Sequence, residues 1–92
     1  MSARGPVSAN DEASLRAACR SLLATKTGAV VPLNWDPFCW SGDAIELTFV
    51  RHMQITVCER AVRADQVVEH YADHKGDKQA ALRYAIVRAA LA

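Results

Sequence analysis

The 92-residue chain is 51% hydrophobic and carries a formal net charge of +1 with a sequence pI near 7.8. That balance supports one modest core and excludes a broad electrostatic field for nucleic acid or an anionic membrane. Cys19, Cys39 and Cys58 form no Cys-x-x-Cys pair, which argues against a disulfide framework or a zinc knuckle and favours a reducing, cytoplasmic setting.

Residues 1–9, with Gly5, Pro6 and two serines, lack periodicity and are expected to be a flexible tail before a single α+β domain over 10–92. Asp11, Glu12, Arg16 and Arg20 interrupt any secretory apolar region, and no apolar run approaches the roughly 18 residues of a membrane span. A helix is expected from Asn10, a capping residue followed by Asp11 and Glu12 at the positive end of the helix dipole. Leu15, Ala18, Cys19, Leu22 and Leu23 form its apolar stripe, Arg16 and Arg20 point to solvent, and Lys26-Thr27-Gly28 stops it.

Val30-Val31-Pro32-Leu33 predicts a short edge strand, and Asn34-Trp35-Asp36-Pro37 a turn or loop. Gly42-Asp43 predicts a two-residue hairpin turn that sets Trp40 opposite Ile45 and Phe38 opposite Leu47 on a core face. From Ile45 to Val57 the apolar residues keep one parity, with Glu46, Thr48, Thr56 and Arg60 on a wet face. An unbroken strand over 44–62 would span roughly 60 Å, so a turn is placed at Arg51-His52-Met53.

After the sheet, Ala64, Val67, Val68, Tyr71 and Ala72 predict a helix running to Gly76, and Asp77 caps a last helix. In that helix Leu82, Ala85, Ile86 and Ala89 mark one apolar side, and Tyr84, Val87 and Leu91 another. The expected architecture is α+β: an N-terminal helix, an antiparallel meander of three to four strands, and two C-terminal helices packed on one sheet face.

Candidate sites follow from these placements. The second apolar side of the last helix, Tyr84, Val87 and Leu91, is more than so small a domain shelters alone, and predicts a homodimer or another protein partner. Arg51 and His52 form a candidate recognition loop. Trp35 is the one aromatic left free for base stacking. His70 and His74, four apart on the expected helix, are weak metal candidates beside Glu69 and Asp73, but Tyr71 stands where a zinc protease needs glutamate. Lys78, Arg83 and Arg88 suit an RNA- or DNA-binding module, although Arg83 and Arg88 lie about 140° apart around a helix. Cys19 fits a buried hydrophobe, and neither Cys39 nor Cys58 has a base nearby in sequence. No catalytic residue and no cofactor are assigned. The expected function is a small non-enzymatic protein-interaction domain that self-associates, with the nucleic-acid module as the alternative.

Overall fold

The computed structural model describes residues 9–92. It is an α+β structure: an N-terminal helix, a three-stranded antiparallel sheet and two further α-helices, the last of which packs on the sheet. The expected tail lies outside the described residues except for Ala9, which opens the first helix.

Helix α1 spans Ala9–Thr27, with acid in its first turn and Lys26 in its last, as the dipole favours. Cys19 and Leu23 are buried and Leu15 and Leu22 pack beside them, whereas Ala18 is exposed. Gly28 takes φ +71° and donates its amide to the Ala24 carbonyl at 2.8 Å. Glycine enters that left-handed conformation without steric penalty, which ends the helix where expected.

The segment that follows is not a strand. Arg20, expected in solvent, donates from its guanidinium to the carbonyls of Val31, Pro32 and Trp35 at 2.8–3.2 Å. These backbone acceptors therefore have no need of a sheet ladder, and Val30 and Leu33 are left facing out.

Where a hairpin was expected at Gly42-Asp43, helix α2 spans Ser41–Arg51. Ala44 and Leu47, three apart, are its buried residues. The expected reversal at Arg51-His52-Met53 does occur, but it joins a helix to a strand: His52 is left-handed at φ 52° and its amide donates to Phe49.

Strands β1 (Ile55–Val57), β2 (Ala61–Ala64) and β3 (Val67–His70) form an antiparallel meander. The expected helix over 64–76 is thus a hairpin followed by a 3-10 turn at Tyr71–His74. Asp65 turns the hairpin at φ 52°, with Ala64 and Val67 paired across it. Its carboxylate accepts the Gln54 amide at 2.9 Å, fastening the turn to the approach of β1. Val62, Ala64 and Glu69 are buried on the inner face, and Thr56, Arg63, Val68 and His70 belong to the opposite one. Glu46 and Thr48, expected on that wet face, lie on α2.

Helix α3, Lys78–Ala90, begins as expected at Asp77, whose carboxylate accepts the Ala80 amide at 3.0 Å. It is the hub of the domain. Ala81, Ala85, Ile86, Val87 and Ala90 are all buried on it, the alanines letting α1, α2 and the sheet approach closely.

Candidate interaction surface

The interface expected on α3 is occupied from within the chain. Val87 is 0% exposed, and Tyr84 and Leu91 are half-buried against the core. The Tyr84 ring lies 5.0 Å from Phe38 edge-on and 4.7 Å from His74, and its hydroxyl donates to Glu12 of α1. Burial, then the bond to Glu12, raises the Tyr84 hydroxyl above its ordinary value. The breadth of apolar surface on α3 is real, but α1, α2 and the sheet cover it together.

The cations proposed for nucleic acid are likewise engaged inside the domain. Arg88 reaches the buried Glu69 carboxylate. Arg83 donates to the Phe38 carbonyl at 2.8 Å and to Ser41 Oγ at 3.2 Å. Lys78 stands 5.4 Å over the Tyr71 ring. Each of the three braces a different element junction, and they share no groove-reading face.

His70 ends β3 and is exposed, while His74 lies in the 3-10 turn and donates from Nε2 to Glu69 Oε1 at 2.7 Å. The expected helical pair does not exist, because His70 closes a strand and His74 closes the 3-10 turn that follows it. Among the described residues no group of three His, Cys, Asp or Glu side chains could hold a metal. Arg51 of the candidate recognition loop donates from Nε to the Ala90 carbonyl at 3.0 Å, locking α2 to the end of α3. His52 is exposed beside it.

All three thiols are free. Cys19 is buried, which pushes its thiol up to about 11 and makes it inert. Cys39 is exposed, and its bond to Asp36 raises its thiol too, the reverse of an activated nucleophile. Burial pushes the Asp36 carboxyl up, but Arg16, the Phe38 amide and the Cys39 thiol outweigh it and hold it below its ordinary value. Arg16, expected in solvent, sits 3.0 Å from Asp36 Oδ2 and 5.5 Å over the Phe38 ring. Its Nε makes no hydrogen bond of good geometry, and the contact with Asp36 is an ion pair.

The tryptophans exchange their expected roles. Trp35 is buried and donates from Nε1 to Glu46 Oε1 at 2.9 Å. Trp40, expected in the core, is 60% exposed ahead of α2.

Besides Val30, Leu33 and Trp40 of the preceding loop, the outer face of α2 stays outside. Phe49 is 74% exposed and Ile45 42%, one turn apart on a helix whose Ala44 and Leu47 face the core. Ile45 continues into a groove of about 350 Å³ shared with Val57, Val62, Tyr71 and Leu82 and edged by Ser41, Lys78 and Gln79. Val57, 73% exposed at the end of β1, extends the same patch. Ile45 and Phe49 were expected in the core. The spacing Gly42, Ile45, Glu46, Phe49, interleaved with Ala44 and Leu47, is the signal that identifies them as one helix face.

Among the described residues no helix is long and apolar enough to cross a membrane. Comparison with protein-family models, with curated proteins and with solved structures gives no match.

Proposed function

We propose that this chain is a small, non-enzymatic protein-interaction domain that self-associates, and that its contact surface is the outer face of α2 with Val57, in place of Tyr84, Val87 and Leu91. The observation that carries the proposal is the exposure of Phe49 and Ile45 one turn apart, beside the Val57 groove. Contiguous apolar surface of this kind, rimmed by polar groups, marks protein contact sites, and aromatic residues dominate their energetics. A net charge of +1 sets up little repulsion between copies. Free exposed thiols at Cys39 and Cys58 favour a reducing, cytoplasmic setting.

Sedimentation equilibrium tests the reading. The wild type forms a concentration-dependent dimer, and Phe49→Asp gives a folded monomer. A wild type that stays monomeric at millimolar concentration overturns self-association.

A further inference from the structure

Resting on self-association through the surface that includes Val57, we infer that two copies join their β1 strands antiparallel about a two-fold axis at Thr56. The two three-stranded sheets then become one.

Strand β1 is hydrogen-bonded to β2 alone, so its far side is a sheet edge. The bonds flanking the strand fix which residues face that edge. The Asp65 amide donates to the Gln54 carbonyl, and the Cys58 amide to the Ala61 carbonyl, both at 2.9 Å. Bonded and non-bonded pairs alternate along an antiparallel ladder, so the backbone groups of Gln54, Thr56 and Cys58 point toward β2, Thr56 pairing with Arg63. Those of Ile55 and Val57 point away from it, and no hydrogen bond among the described residues takes them up.

The edge is also unguarded. Sheet edges are commonly blunted by a charge, a proline or a bulge, and Gln54-Ile55-Thr56-Val57-Cys58 contains neither charge nor proline. Ile55, Thr56 and Val57 are all β-branched, which suits them to a ladder. Val57 belongs to the inner face, opposite the buried Val62, yet at this open edge it is 73% exposed.

A second β1 answers each of these features, because the pattern is its own complement about Thr56. Ile55 of each copy pairs with Val57 of the other, and each pair exchanges two N–H···O=C bonds. Every outward group of both strands is then bonded. An axis at Ile55 or Val57 would leave half of those groups to residues outside the strand. On the inner face Val57 gains the other copy's Ile55 beside it. On the outer face Thr56 meets its own copy in a favourable close pair, about 4.5 Å between Cα atoms. Arg63, next to Thr56 on that face, stays three strand spacings from its copy, roughly 14 Å and beyond the screening length. The contact is short, so the dimer is expected to be weak and strongly dependent on concentration.

Crosslinking, sedimentation and amide exchange test this. On a Cys39→Ser/Cys58→Ser background, Thr56→Cys sets one thiol of each copy at the axis, and oxidation with diamide is expected to give a disulfide-linked dimer. Arg63→Cys, one strand further from the axis, is expected to stay uncrosslinked. Val57→Pro deletes an outward N–H and leaves the β1–β2 ladder intact, since proline is tolerated at an edge. Its melting temperature should stay within a few degrees of wild type while dimerisation weakens at least tenfold. Thr56→Lys should weaken it as much by opposing two ammonium groups across the axis. In the wild type, the Ile55 and Val57 amides should exchange several-fold more slowly at millimolar concentration than in dilute solution, and the Thr56 amide should change little. A wild type that is monomeric at millimolar concentration removes self-association and this pairing together, leaving the edge to an extended segment of another protein. A dimer abolished by Phe49→Asp overturns the β1 pairing alone if Thr56→Cys does not crosslink and the Ile55 and Val57 amides exchange alike at all concentrations.

Discussion

Arg88 of α3 forms an ion pair with Glu69 of β3, a carboxylate only 7% exposed on the inner face of the sheet. Glu69 is also bonded by His74 from the 3-10 turn, so one acid ties the turn, the strand and the last helix together. Removing one partner of such a pair leaves a charge without its compensation. Arg88→Met is expected to destabilise the domain by about 2 kcal/mol, less than a fully buried pair because Arg88 is partly exposed. Glu69→Gln/Arg88→Met should recover part of that loss in urea denaturation. Strictly additive losses would show that the two residues are not coupled.

Substitution at Val87 separates the core from the surface. A carboxylate at a fully buried position has no partner and no water, so Val87→Asp should unfold the domain at a cost of more than about 4 kcal/mol. Phe49→Asp should leave the melting temperature within a few degrees of wild type. Circular dichroism distinguishes them, and a folded Val87→Asp protein would contradict the burial described.

Asp36 makes stability depend on acid. Its carboxyl is held below its ordinary value near 3.8, so its contribution is fully present above that value and is lost as pH falls through the lower, folded-state one. The stability gap between wild type and Asp36→Asn should be largest above pH 5 and shrink toward pH 2. Urea titrations at several pH values measure it; a gap independent of pH would remove the assignment to Arg16 and the Phe38 amide.

Thiol labelling reports the fold directly. Cys39 and Cys58 are exposed and should be modified in the native protein, whereas Cys19, with its thiol pushed up to about 11, should react only at the rate of unfolding. Intact-mass spectrometry should plateau at two modifications. Rapid uptake of a third would place Cys19 outside the core.

Arg20 offers a local test. Its fork serves three carbonyls of the loop after α1, and a lysine ammonium cannot reproduce that planar geometry. Arg20→Lys is expected to speed amide exchange through residues 28–36 at least tenfold while leaving α3 protected. Uniform acceleration would mean global loosening instead.

The parts of the fold that can be read from sequence are those with local chemistry. Gly28 ends α1 and Asp77 starts α3, because helix ends leave backbone groups that only a few residue types satisfy, whereas the expected cap Asn10 lies inside the helix that opens at Ala9. Helix α2 was hidden by its own exposed residues. Ile45 and Phe49 face out and Leu47 faces in, yet all three share parity, so a helix with an apolar outer face imitates a strand. The opposite confusion arose at β3, where Glu69 occupies an inward position and breaks the alternation that Val67 and Tyr71 would otherwise display. Arg51 and His52 were placed at the right reversal, but neither their backbone bonds nor the covering of Val87 has any local signature. Burial of α3 depends on α1 and α2, distant in the chain, as well as on the sheet just before it.

That dependence orders the events of synthesis. Among the described elements α3 comes last, and until it leaves the ribosome the inner face of the sheet, Cys19 and Leu23 of α1 and Leu47 of α2 lack the helix that closes over them. The nascent chain then leaves part of its core surface in water until residues 78–90 emerge, the interval in which chaperone contact is expected.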